Sequence, residues 1–126
     1  MNILIDTSVW VEHFRRANAA LQQLLRVDVG VTHPLVVLEL TCGTPPEPRA
    51  QTLSDIALLR QTRLATHAEV AGLIERERLY GLGCGAVDCT LLASTLLTPD
   101  TRFWTLDQRL RRLTERFDVC YVPGVH

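Results

Sequence analysis

The sequence contains no lysine, and all 13 of its basic residues are arginine. This absence excludes the P-loop nucleotide-binding motif and Schiff-base catalysis, because both need a lysine side chain. The net charge is −1, so the chain also lacks the strongly basic balance with which proteins hold duplex DNA. Any nucleic acid would have to be bound by a local group of residues.

The four cysteines and four histidines lack the spacing of a structural zinc site. No CxxC pair occurs, and no two histidines are spaced as HxH or HxxxH, which argues against zinc. The apolar run at the start of the chain is cut by Asp6 and follows no basic segment, so we expect no signal peptide. We therefore expect reduced cysteines, packed as small core residues, in a cytoplasmic protein.

No uncharged stretch is suited to a membrane span, because glycines and an acid interrupt the longest one, around Asp88. With 47% hydrophobic and 21% charged residues, a chain of 126 residues can bury roughly two thirds of its unfolded surface in one core. We expect a single domain over residues 1–126, folding alone or as a homo-oligomer.

Strand and helix patterns alternate along the chain. Strands are predicted at residues 3–5, 27–32, 102–105 and 119–122, with a weaker candidate at 63–66. Helices are predicted from the acid at position 6 to residue 14, over 18–26, from 33–34 onward, over 49–60, 67–79 and 86–97, and after position 107 through 117. This order predicts an α/β fold with a mainly parallel sheet covered by helices on both faces.

Four acids stand out against this apolar background. Asp6 directly follows the first strand, and Asp107 closely follows the strand at 102–105. Glu39 is the only charge between positions 28 and 47, and Asp88 is the only one between positions 78 and 100. Carboxylates are rarely buried unless they are paired or bind a metal, so isolated acids in apolar segments point to one shared site. Ligands of open α/β sheets bind at the carboxyl ends of the strands, where Asp6 and Asp107 are expected.

Convergence of these acids would create a site for a hard divalent cation. Two carboxylates about 4 Å apart repel by roughly 4 kcal/mol at an effective dielectric of about 20. The group must therefore protonate or bind a cation, and oxygen ligands favour Mg²⁺ or Mn²⁺. Such an ion would polarise a phosphoryl oxygen and activate water for attack on a phosphodiester. Ser8 and Thr105, each two residues from an acid, are candidates to orient the ligands from a second shell.

Each residue also has a purely structural interpretation. Asp6, Asp88 and Asp107 precede or begin helices and could simply cap them, and Glu39 could form an ion pair with an arginine. Several arginines near the last helix could bind the phosphates of a nucleic acid or form a solvated face. Arg109, Arg112 and Arg116 share one stripe, with Arg102 and Arg111 nearby.

Four segments carry a family resemblance: ILIDTSVW, LVVLELTCG, AVDCTLLA and WTLDQRL. In order and spacing they resemble the four acidic motifs of PIN-domain ribonucleases, in particular the VapC toxins of bacterial type II toxin–antitoxin systems, over essentially the whole chain. The resemblance implies a PIN-like three-layer α/β/α sandwich and an endoribonuclease dependent on Mg²⁺ or Mn²⁺. The family's catalytic and metal-binding acids fall on Asp6, Glu39, Asp88 and Asp107. Cys89 stands where a small residue, often alanine, is expected.

The resemblance also implies partners. These are an RNA substrate, a second copy of the chain in a homodimer and a VapB-like antitoxin. In the family the antitoxin covers a groove near the first helices, so Trp10 and Phe14 are candidates for that contact, although their i, i+4 spacing is equally typical of core packing.

Two other functions remain open at this stage. The first is a catalytically idle RNA-binding or oligomerising module with the same fold, against which the four intact acids argue. The second is a metal-dependent phosphatase on a similar sheet. The haloacid-dehalogenase signature needs DxD, whereas Asp6 is followed by Thr7 and Ser8.

Overall fold

The structure, a computed structural model, describes residues 1–124. Within that range the chain forms three strands and seven helices in alternating order. In chain order they are β1 (Asn2–Ile5), α1 (Thr7–Arg15), α2 (Ala19–Arg26), β2 (Gly30–Val31), α3 (Pro34–Thr41), α4 (Arg49–Ala57), α5 (His67–Glu77), α6 (Ala86–Leu97), β3 (Thr101–Trp104) and α7 (Gln108–Arg116).

The strands form one parallel sheet in the order β2-β1-β3. Single parallel bridges extend it at both edges, from Thr32 to Gln61 and from Phe103 to Cys120. The predicted α/β class with a parallel central sheet is thus confirmed. After β1 the chain forms β2 on one side of it, and later β3 on the other side. The strand order therefore reverses at the carboxyl end of β1. That position is where open α/β sheets bind their ligands.

The central strand of the sheet, β1, is apolar and is covered on both faces. Ile3, Leu4 and Ile5 are fully buried, as a strand in the middle of a parallel sheet requires. Helix α6 begins and ends as predicted. Its residues from Cys89 to Thr95 are buried, except for Thr90, which is partly exposed. This helix packs against α5, β3 and α7. Among residues 1–124, no helix is long and apolar enough to cross a bilayer.

Three strand predictions are corrected. The strand predicted at 27–32 is reduced to Gly30–Val31, since residue 27 caps α2 and Asp28 turns the chain at φ 58°. The candidate at 63–66 is wrong, because the pairing lies at Gln61 and the backbone N–H of Ala65 is donated to a side chain. The strand predicted at 119–122 is reduced to one bridge at Cys120, and a proline at 123 has no N–H to extend it.

The prediction that the cysteines are reduced agrees with the structure, but the prediction that they are core residues holds fully for only one of them. All four thiols are free. Cys89 is buried in the core, whereas Cys84 and Cys120 are partly exposed and Cys42 is exposed. Cys42 caps the end of α3, where the helix meets solvent, so it is not a core residue.

Candidate active site

Asp6 lies at the carboxyl end of β1 and is almost fully buried, with 5% of its surface exposed. Its Oδ2 accepts hydrogen bonds from the hydroxyls of Ser8, at 2.6 Å, and Thr105, at 2.7 Å. The carboxylate makes no capping hydrogen bond to α1, so it is not a simple helix cap. Oδ1 has no hydrogen-bond partner among residues 1–124 and remains open to another ligand.

The hydroxyls of Ser8 and Thr105, which donate to Asp6, each accept a hydrogen bond from the backbone after β3. Ser8 Oγ accepts from the N–H of Leu106 at 3.0 Å, and Thr105 Oγ1 accepts from the N–H of Asp107 at 3.1 Å. Each hydroxyl proton is therefore directed to Asp6. This network joins the carboxyl ends of β1 and β3 and orients the carboxylate of Asp6 before any ligand binds.

Glu39 lies on the second turn of α3 and, contrary to its apolar sequence context, is exposed. Its Oε1 accepts a hydrogen bond of 2.7 Å from Thr7 Oγ1, at the first position of α1. Thr7 is a contact that the sequence interpretation missed. Its position next to Asp6 in the sequence could have indicated this contact, because a hydroxyl there lies at the same edge of the sheet.

The other two acids combine a cap with a place near Asp6. Asp107 Oδ1 accepts from the N–H groups of Arg109 and Leu110, and Asp88 Oδ2 accepts from the N–H of Gly85 at 3.4 Å. Both acids thus occupy the helix N-termini that their sequence positions suggested. Each capping hydrogen bond uses one oxygen and leaves the other without a protein partner within the described chain.

The four carboxylates share one electrostatic environment. Burial raises the pKa of Asp88, and the charges of Asp6, Asp107 and Glu39 raise it further, against an opposing hydrogen bond from Gly85. None of the four forms an ion pair in the part of the chain described, so the arginine partner considered for Glu39 is absent there. Within residues 1–124, the negative charge at this edge of the sheet is therefore not neutralised by an ion pair with a basic side chain.

The Cys84 thiol lies beside these acids. Its pKa is raised to about 11, first by burial and then by Asp88, Cys89 and Asp107, while Arg109 acts in the opposite direction. At neutral pH the thiol is protonated and adds no charge to the acidic group.

The donor set fits a hydrated hard cation. All four side chains offer carboxylate oxygens, which Mg²⁺ and Mn²⁺ prefer. Within residues 1–124, no three of the acidic, histidine or cysteine side chains are arranged to surround one ion directly. Mg²⁺ commonly keeps several waters and takes only one or two carboxylates directly, so water would complete its coordination here.

Comparison with known proteins identifies the family. A family model described as PIN domain matches residues 3–116. Proteins called Ribonuclease VapC32 from Mycobacterium tuberculosis strains CDC 1551 / Oshkosh and ATCC 25618 / H37Rv are each 48% identical over 109 residues, covering 86% of this chain and 87% of the relative. The chain belongs to the VapC group of PIN-domain proteins. The four acids of this PIN domain lie within the matched residues.

The other candidate residues of this PIN domain, arginines for RNA and aromatic residues for the antitoxin, lie in different parts of the fold. Arg102 donates to the carbonyl of Cys120 at 3.4 Å, whereas Arg112 is exposed and makes no side-chain hydrogen bond or ion pair within residues 1–124. Trp10 is buried in the core, with 4% of its surface exposed, and Phe14 packs beside it at a ring separation of 6.3 Å. Both rings also line a surface cavity of about 310 Å³ between α1 and α4.

The raised pKa of Asp88 gives a prediction for the metal-free PIN domain. A carboxyl whose pKa is higher in the fold than in the unfolded chain stabilises the fold at acidic pH and loses that contribution as pH rises through the folded pKa. Asp88→Asn should therefore raise the melting temperature at pH 7 in EDTA, because the amide oxygen can still accept from Gly85. The advantage should shrink as pH falls into the aspartate range.

Glu75→Gln provides the control for this measurement, because it removes one exposed negative charge on α5. The melting temperatures of the three proteins should be compared by calorimetry at several pH values. Electrostatic repulsion at Asp88 would be contradicted if Asp88→Asn melts below wild type at pH 7. It would also be contradicted if Asp88→Asn and Glu75→Gln melt at the same temperature. Added Mn²⁺ should reverse the order of wild type and Asp88→Asn.

Proposed function

We propose that this chain is an endoribonuclease that uses Mg²⁺ or Mn²⁺ to hydrolyse phosphodiester bonds of RNA, as the toxin of a toxin–antitoxin pair. The observation that carries the proposal is the group of four carboxylates at the carboxyl edge of the sheet. Three of them raise the pKa of the fourth, Asp88, and none has a basic ion-pair partner in the described chain. The ribonuclease naming of the relatives supplies the substrate class.

Asp6, Glu39, Asp88 and Asp107 are the proposed metal-binding residues. A bound ion would supply Lewis-acid polarisation of a phosphoryl oxygen and a water of lowered pKa. Ser8 and Thr105 would act through Asp6: their hydrogen bonds fix one oxygen and direct the other to the ion. Thr7 would do the same for Glu39. The Cys84 thiol beside these acids is held protonated, so it is not an activated nucleophile.

RNA would be bound near the acids by arginine, the only basic side chain at neutral pH in this sequence apart from histidine. The candidates are Arg102, Arg109 and Arg112. Arg116 is a poorer candidate because it donates to the carbonyl of Glu77 and lies over the ring of Phe117. Arginine suits this task because its planar guanidinium matches phosphate oxygens.

The antitoxin would dock along α1. A cavity of about 470 Å³ runs from Phe14 to Glu39, and the neighbouring cavity of about 310 Å³ includes Trp10, His13 and Phe14. Phe14 lines both, so a VapB-like segment lying there would reach the acidic group. Trp10 is mainly a core residue, with 4% of its surface exposed, and would contribute little to this contact.

We further propose that residues 1–126 form one PIN domain that assembles as a homodimer in the cytoplasm. The pairing of β1 with strands from both halves of the chain supports a single domain. Four free thiols suit a reducing compartment.

Removal and replacement of the metal tests the proposed reaction. The purified protein, stripped with EDTA, should leave a labelled single-stranded RNA intact, and Mn²⁺ or Mg²⁺ should restore internal cleavage. Ca²⁺ should restore little, because it prefers more ligands at longer distances. Cleavage that continues in EDTA would overturn the metal requirement. RNA binding without cleavage would favour an idle module, and phosphate release from small esters with intact RNA would favour a phosphatase.

A further inference from the structure

Arg109 is the arginine closest in sequence to an acid of the site, and its side chain is uncommitted. It lies in the first turn of α7, where its backbone N–H donates to Asp107 Oδ1 at 2.9 Å. Its guanidinium is exposed and, among residues 1–124, makes no hydrogen bond or ion pair. On the same helix, Arg111 pairs with Glu115 and Arg116 contacts Glu77, whereas the exposed Arg112 lies one turn farther from Asp107.

Gly83 makes room for this side chain. A Cβ at position 83 would lie 2.7 Å from Arg109 Cδ, 2.9 Å from one terminal nitrogen and 3.1 Å from Nε. The arginine stem and guanidinium therefore run directly across the backbone of the loop between α5 and α6. Such close approach is possible only where the residue beneath has no side chain.

The same contact places the guanidinium near Cys84, the thiol beside the acids, without pairing it with a carboxylate of the described chain. Cys84, adjacent to Gly83, is influenced by Asp88, Asp107 and Arg109 together. The loop continues to Gly85, whose N–H donates to Asp88. A positive group is thus held over the loop at the rim of a negative site, and its donors remain free for an anion.

We propose that Arg109, held across Gly83, binds a phosphate of the RNA beside the acidic group, and that the missing side chain at position 83 sets its position. This inference rests on the proposed ribonuclease function. Gly83 is a positioning residue, because it acts only through Arg109. A chain with a net charge of −1 needs such a local contact to retain a polyanion near four carboxylates.

RNA binding in EDTA tests the proposal without requiring cleavage. Fluorescence anisotropy with a short single-stranded RNA should show that Arg109→Ala weakens binding about fivefold near 0.1 M salt and lowers the slope of log affinity against log salt by about 0.7, as loss of one phosphate contact predicts. Arg26→Ala is the charge-matched control. Arg26 is exposed at the end of α2, which leads into the amino end of β2, on the opposite edge of the sheet.

Gly83→Ala should reproduce the loss seen with Arg109→Ala. Gly81→Ala is its matched control, because both glycines have positive φ, 73° and 88°, but a Cβ at position 81 meets no atom within 4 Å. Both substitutions strain the loop, and only the one at 83 displaces the arginine. In an Arg109→Ala background, Gly83→Ala should cause no further loss of binding beyond that of Gly81→Ala.

The proposal is overturned if Gly83→Ala and Gly81→Ala bind RNA equally, if Arg109→Ala behaves like Arg26→Ala, or if the losses at 83 and 109 add. Melting temperatures of all variants should be measured alongside. The two glycine variants should lose similar stability from backbone strain, since a displaced surface side chain adds little to that loss. These outcomes are separate from a failure of the ribonuclease function, which would appear as intact RNA when wild-type protein is given Mn²⁺.

Discussion

Asp6→Asn is expected to lower the rate of RNA cleavage by about 10³-fold, the largest catalytic effect among single substitutions in this chain. Loss of a residue that only orients a metal ligand typically costs 10- to about 100-fold, so loss of the proposed central ligand should cost more. We propose Asp6 for this role because it is buried at the carboxyl end of the middle strand and receives two hydroxyl hydrogen bonds. An asparagine is nearly the same size and keeps an oxygen for both hydroxyls.

The measurement is single-turnover cleavage of a labelled RNA in Mn²⁺, together with Mn²⁺ affinity by calorimetry. Ser8→Ala serves as the graded comparison: it removes one orienting hydrogen bond and should cost roughly 10- to 100-fold. Circular dichroism should show that both variants are folded. Asp6→Asn protein that cleaves RNA within tenfold of wild type, or that still arrests growth when expressed, would refute the role of this carboxylate.

Ser94→Ala is expected to lower the free energy of unfolding by about 2 to 6 kcal/mol, which is large for the loss of one oxygen atom. Ser94 is fully buried on α6, and its Oγ accepts from the N–H of Ala65 at 3.1 Å. It also lies 3.1 Å from Nε2 of His33. Removing the hydroxyl leaves two buried donors without partners, at about 1 to 3 kcal/mol each.

The assignment of His33 as a donor follows from its other nitrogen. Nδ1 accepts from the N–H of Leu35 and caps α3, so the proton of the neutral ring is on Nε2 and is donated to Ser94. Burial lowers the pKa of His33, which keeps the ring neutral. This contact joins α3, which carries Glu39, to α6, which carries Asp88, and so fixes two acids of the site relative to each other.

Urea unfolding should measure the effect, with Ser54→Ala as the control. Ser54 lies on α4 and is exposed, so its replacement changes helix propensity without leaving a buried donor. His33→Asn should keep the cap on Leu35 but lose the contact to Ser94, and the double variant should be less destabilised than the sum of the two. Equal midpoints for Ser94→Ala and Ser54→Ala would show that the buried hydroxyl is not stabilising.

Much of the fold follows from local sequence signals. The limits of α6 and the starts of α3 and α5 were predictable because a glycine, a proline and a capping threonine mark them. The edge strands were not predictable, because their length depends on how many backbone groups find partners in the sheet. Strand pairing occurs at Gln61 and not at 63–66, and no periodic pattern in the sequence indicates this. A single bridge needs no alternation of apolar and polar side chains.

The sequence alone determined the chemistry that this protein can offer: carboxylates at the ends of two strands and on two apolar helices, arginine as the only strong cation, and no lysine or zinc motif. Only the tertiary structure decided how these groups are used. It exposes Glu39 and joins it to Thr7, brings Thr105 to an acid 99 residues away and lays Arg109 across Gly83. Side-chain periodicity reports which face of one element is buried, whereas such contacts depend on how separate elements meet, which no local pattern encodes.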